Sequence, residues 1–151
     1  MAELILTIHI IVASFWIGGM LFMALVLSPY VRKLSQSTQA FQAVGRRYSF
    51  WGTVIGLPIL FITGMFNIKY ISGLDPFRFW SVDAPYVHTL KIKLGLFFLT
   101  VILAVIHDFY FGERAHLSPT YKKISRVIGI LNLIIGILII YFAVRLRLGG
   151  C

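Results

Sequence analysis

Four long apolar runs recur along the 151 residues, and they constrain the fold more than any motif does. Residues 4–30, 48–71, 86–111 and 124–146 each hold about 23–27 largely apolar residues, against the roughly 20 an α-helix needs to cross a ~30 Å hydrocarbon layer. A barrel is excluded because its strands alternate polar and apolar residues, whereas Ile135, Gly136, Ile137, Leu138, Ile139 and Ile140 are apolar on every side. The sequence predicts an all-α fold: an integral membrane four-helix bundle, up-down-up-down, forming a single transmembrane domain over residues 1–151. Short connections leave no room for a second, water-soluble domain.

Composition agrees. Hydrophobic residues make up 59% and charged residues 13%, where soluble domains carry about 25% charged. The 14 Lys+Arg against 5 Asp+Glu do not gather on a solvated face with stacking aromatics, so no nucleic acid is expected as a partner. They sit at the ends of the apolar runs, where they meet lipid headgroups and orient the spans. One face holds Arg32, Lys33, Arg46, Arg47, Arg114, Lys122, Lys123 and Arg126; the other holds Lys69, Arg78, Arg145 and Arg147, with Lys91 and Lys93 just inside the third helix. By the positive-inside rule both termini lie outside, and a bacterial inner membrane is the expected location. The first run is too long for a signal peptide and reads as a retained span. Cys151 stands alone, so metal chemistry within one chain must use other ligands.

Residues 72–85 mix Pro, Gly and aromatics and read either as a lid folded on the outer face or as an interfacial aromatic belt. Gly52 and Gly56 on the second helix, and Gly129, Asn132, Gly136 and Ala143 on the fourth, form stripes of small residues. Such stripes serve close helix packing or leave space for a flat macrocycle.

Ionisable groups inside a membrane are costly and point to function, which singles out His9, His88 and His107, with His116 in a loop. At 1.5 Å rise per residue, His88 and His107 lie about 28 Å apart on one helix and cannot share a metal ion. His9 and His88 occupy similar depths on parallel helices and are the expected ligand pair. His107 marks a second site, with His116 or an exchangeable ligand. A bis-histidine haem needs two imidazoles at one depth, an apolar slot and cationic groups near the propionates. His9, Trp16, Met20 and Met23 fall within about 40° of one another on the first helix, and Lys91, three residues from His88, is placed to meet a propionate or to snorkel. Copper competes: imidazole and the thioethers of Met20 and Met23 suit Cu(I). No His-Glu-x-x-His, phosphate loop or deep carboxylate points to other chemistry, and Asp108 reads as a solvated helix-end residue.

Several of these residues carry a resemblance. His9; Trp16, Gly18 and Gly19 with the Leu-rich run to Pro29; Arg46 and Arg47; Thr63, Gly64 and Asn67; Lys91 and Lys93; and His107, Asp108 and Phe109 together resemble the copper-resistance protein D (CopD) family over nearly the whole chain. More distantly the chain is similar to the four-helix protoporphyrinogen-oxidising membrane proteins of the haem pathway. The first resemblance implies copper handling at the membrane. The second implies b-type haem, porphyrin oxidation and important roles for a helix 1 histidine and a helix 3 lysine, here His9 and Lys91 or Lys93. Ile106 departs from the tyrosine expected in the second group.

The leading expectation is a b-type haem-binding electron-transfer protein with His9 and His88 as axial ligands, exchanging electrons with a redox partner protein or a quinone. Whether it is a membrane oxidoreductase enzyme is left open. The alternatives are a copper transport or copper-resistance protein using His and Met ligands, and a membrane anchor or scaffold whose glycine seams hold a partner or a second copy.

Overall fold

Each apolar run folds as one helix, and each helix is longer than its run. The computed structural model describes residues 1–149, so the lone Cys151 lies outside the described residues. The helices are α1 (Ala2–Val31), α2 (Ser37–Ser72), α3 (Pro85–Arg114) and α4 (Pro119–Arg147), each long and apolar enough to cross a membrane. Among the described residues there is no strand. The architecture is the expected all-α four-helix bundle.

Local chemistry sets the helix ends. Pro85 and Pro119 sit in the first turns of α3 and α4, where a missing N–H costs nothing. Ser118 caps α4 by accepting from the Thr120 N–H at 3.2 Å. The turn after α2 is made by Gly73 at φ 68°, a left-handed position that glycine alone adopts cheaply. The largest departure from the apolar runs is the start of α2, which extends back to Ser37 through an amphipathic stretch with Arg46 and Arg47 in its last turn. Amphipathic helix needs no hydrocarbon, so hydropathy alone does not mark it.

Two prolines inside helices are accommodated by wide π-helical turns. A proline ring clashes with the carbonyl four residues back. For Pro29 that residue is Leu25, within the π turn Met23–Leu27; for Pro58 it is Val54, within the π turn Phe50–Gly56. A third π turn, His107–Phe111, contains no proline and sits beside a polar cluster described below.

Packing inverts the soluble pattern. Leu25 is 71% exposed, Ile11 61% and Phe15 51%, whereas the centre is held by Trp16, Ile17, Leu57, Leu60 and Ala104. α1 meets α2 antiparallel through Val12 on Gly56 and Trp16 on Gly52. α3 meets α4 antiparallel through a buried Thr100–Asn132 hydrogen bond of 2.5 Å; bonds of this kind in membranes contribute about 0.6 kcal/mol on average. The glycine stripes are used within the bundle: Trp16, Ile17 and Met20 pack onto Gly136, and His107 onto Gly129. They serve packing, with no slot left for a macrocycle on α4.

The connection between α2 and α3 divides its aromatics. Phe79 is buried against Ile68, Val87 and Leu90, while Phe77 and Trp80 point outward. It is a plug at its centre and an aromatic belt at its edge.

Gly18 and Gly19 differ sharply despite being neighbours. A Cβ on Gly19 enters the ring of Tyr48, whose hydroxyl donates to the Trp16 carbonyl, whereas a Cβ on Gly18 meets nothing within 4 Å. Gly19→Ala is expected to lower stability by about 1–3 kcal/mol, the usual range for overpacking, and Gly18→Ala to leave it unchanged. Thermal unfolding in detergent checks both.

Candidate functional site

All four helices contribute to one small cavity of about 80 Å³ in the half of the bundle nearer the termini. Its polar groups are His9 from α1 and Lys93 from α3; Trp16, Leu60, Phe61, Gly64, Leu90, Phe97 and Ile139 supply much of the apolar wall. Gly64 faces the imidazole, and a Cβ there would stand in ordinary van der Waals contact, 3.5 Å from His9 Cε1.

The imidazole of His9 is oriented by Thr63. Nδ1 lies 2.7 Å from Thr63 Oγ1, and that hydroxyl donates its single proton to the Ile59 carbonyl at 2.6 Å. The hydroxyl oxygen must therefore accept from His9, which places the proton of the neutral ring on Nδ1 and leaves the Nε2 lone pair free. A metal-ligating histidine is arranged this way, one nitrogen tied to the protein and the other released. Asn67, one turn beyond Thr63 on α2, has its Oδ1 buried and without a hydrogen-bond partner among the described residues.

A second polar cluster lies toward the opposite end. His107 Nδ1 lies 2.7 Å from Asp108 Oδ1, Thr53 donates to Asp108 Oδ2 at 2.5 Å, and Ser125 Oγ stands 3.2 Å from His107 Nε2. Neighbouring residues on a regular α-helix point apart; here the pair opens the π turn His107–Phe111 and its side chains meet. Asp108, with 10% of its side chain exposed, is a buried hydrogen-bond acceptor and not the solvated helix-end residue expected.

A seam of α3 and α4 links these levels. Lys93, Thr100 and His107 recur every seventh residue on α3; opposite them on α4 are Ile139, Asn132 and Ser125, also seven apart. From Lys93 to His107 the rise is about 21 Å, most of a ~30 Å hydrocarbon layer.

The structure does not bring His9 and His88 together. His88 Nε2 pairs with Asp83 at 3.0 Å, and its side chain is 64% exposed. Depth was matched, but angle was not: at 100° per residue His88 lies about 200° around α3 from Leu90, which faces the cavity. Lys91 shares the side of His88, so Lys93 is the helix 3 lysine in the cavity. Trp16 lines it. The methionines diverge, Met20 packing on Gly136 and Met23 toward Gly45. His116 is exposed and pairs with Gln42 at 3.4 Å, apart from His107. Among the described residues no group of three or more His, Cys, Asp or Glu side chains is arranged to hold a metal ion. A bis-histidine haem does not fit these residues: its second imidazole faces outward, and 80 Å³ is far below the roughly 300–1,000 Å³ of pockets that enclose ligands of drug size.

An uncharacterized protein of Aquifex aeolicus (strain VF5) is 43% identical over 150 residues, which is 99% of this chain and 97% of that protein. The chain belongs to the same family as the Aquifex protein. The copper transport protein CutJ of Bacillus subtilis (strain 168) is 34% identical over 133 residues, 84% of this chain and 23% of CutJ. The chain thus corresponds to less than a quarter of the length of that relative. No family model matches the chain, and no solved structure matches it.

The Thr63 partner of His9 has a spectroscopic consequence. In protein labelled with ¹⁵N-histidine, neutral His9 should carry its proton on Nδ1. Thr63→Val, which removes the acceptor, should shift the population toward the Nε2–H tautomer, visible in the nitrogen chemical shifts.

Proposed function

We propose that this chain handles copper within the membrane, with the Nε2 of His9 as the ligand that meets the ion in the bilayer and that of His107 as a second ligand near the opposite end. The observation that carries the reading is the His9–Thr63 pair, which releases an imidazole lone pair into a cavity shared by four helices. Similarity over 84% of the chain to part of a copper transport protein supports it. The ion is cargo, so a dense, permanent ligand set is not required of the site.

Lys93 has no hydrogen-bond or ion-pair partner among the described residues and shares the cavity with His9. A site of one imidazole within an apolar wall suits Cu(I), which takes few and soft donors, over Cu(II).

Titration of purified protein with Cu(I), anaerobically and against a chromophoric competitor, tests the proposal. His9→Ala and His107→Ala should each remove one binding event, while His88→Ala should leave both intact. Thr63→Val should weaken the His9 event about 10–100-fold, as removal of an orienting group from a metal-bound histidine does. Retention of the same Cu(I) stoichiometry by the double His9→Ala/His107→Ala variant would overturn it.

A further inference from the structure

The end of the bundle carrying the connections α1–α2 and α3–α4 holds a feature unrelated to either histidine. Arg32, Lys33, Arg46, Arg47, Arg114, Lys122, Lys123 and Arg126 cluster there, with Glu113 and the buried Asp108 as the acidic residues of the same end. On the outside of α2, Ala43, Arg46, Arg47, Phe50 and Trp51 line an open groove of about 490 Å³. Two guanidinium groups stand on the polar side of the groove. Beside them Phe50 and Trp51 are 52% and 55% exposed and touch edge to face with ring centroids 5.6 Å apart.

Position makes this combination specific. The groove begins where the amphipathic stretch Ser37–Ser49 gives way to the apolar π turn Phe50–Gly56, the kind of polar-to-apolar change that helices make between headgroup and hydrocarbon. Arg46 makes a 3.7 Å contact with Glu113 on the rim, with both side chains well exposed; such a pair is weak and readily exchanged. Arg47 has no carboxylate partner among the described residues. Paired guanidinium groups bind phosphate oxygens with directed hydrogen bonds, and exposed aromatic rings at this depth lie along acyl chains.

We propose that this groove binds an anionic phospholipid, its phosphate held by Arg46 and Arg47 and its acyl chains lying along Phe50 and Trp51. Anionic lipid is chosen over zwitterionic lipid because a headgroup ammonium would meet a strongly basic surface. The proposal does not rest on the copper reading.

Trp51 reports on the site directly. Trp80→Phe removes the other exposed indole, at the opposite end, and leaves the buried Trp16 as a constant background. Protein with this change is reconstituted in phosphatidylcholine vesicles containing a minor fraction of either brominated phosphatidylglycerol or brominated phosphatidylcholine. Quenching of Trp51 by the brominated phosphatidylglycerol should exceed that by the phosphatidylcholine, with an enrichment of about thirtyfold for two basic contacts. Arg46→Gln/Arg47→Gln should abolish the preference. Lys122→Gln/Lys123→Gln, which removes equal charge from the same end, should keep it. Equal quenching by the two lipids, loss of preference in the lysine variant as well, or survival of preference in the arginine variant would each overturn the proposal. Inorganic phosphate should not relieve the quenching; relief would assign the groove to free phosphate and overturn the lipid assignment.

Discussion

Hydrocarbon offers no hydrogen bonds, so a polar side chain carried into the bilayer must find its partner inside the bundle. That constraint organises α3 and α4. Thr100 meets Asn132, and His107 meets Asp108 and Ser125, at positions seven residues apart. Each bond contributes little by itself, yet a register shift of α3 against α4 would unpair Thr100 from Asn132 and His107 from Ser125 at once. The polar seam therefore fixes which residues stand opposite one another, and the apolar cluster around Trp16 fills the space between its levels.

The two histidines near the ends of this seam are each tied through Nδ1 and placed in different surroundings. Thr63 ties Nδ1 of His9 and Asp108 ties Nδ1 of His107, whose Nε2 is shared with the Ser125 hydroxyl. Around His9 the nearby ionisable group in the cavity is the amine of Lys93. Around His107 it is a carboxylate with 10% of its side chain exposed. A positive species is thus drawn to the His107 end by an acidic group that the cavity around His9 lacks.

Much of the fold was legible because membrane helices are announced by the length of their apolar runs, and four such runs were evident. Helix ends were less so. The amphipathic Ser37–Ser49 stretch lies outside the apolar signal, and its helicity depends on polar residues that hydropathy does not weigh. For the site, His9 and Trp16 were readable as inward-facing residues of α1, but the pairing of His9 with His88 relied on depth alone. Angular position about α3 separates His88 and Lys91 from Lys93, and that information was available in the spacing of Leu90, Leu94 and Phe97. Thr63 was noticed only within a motif, since a threonine that bonds its own helix carbonyl is common; its service to His9 requires knowing which helix lies opposite. Asp108 was misread because neighbouring residues diverge on a regular helix, and the π turn that brings it to His107 leaves no plain mark in sequence.

Phe79 gives the connection between α2 and α3 a mechanical share in the cavity. Its ring rests on Ile68 and Leu90, and those same two side chains wall the space around His9 and Lys93. Close-packed interiors pass displacement from one neighbour to the next, so the plug and the wall behave as one piece. A residue with no polar atom in its side chain, outside the four long helices, thereby buttresses two of the side chains that shape the chamber.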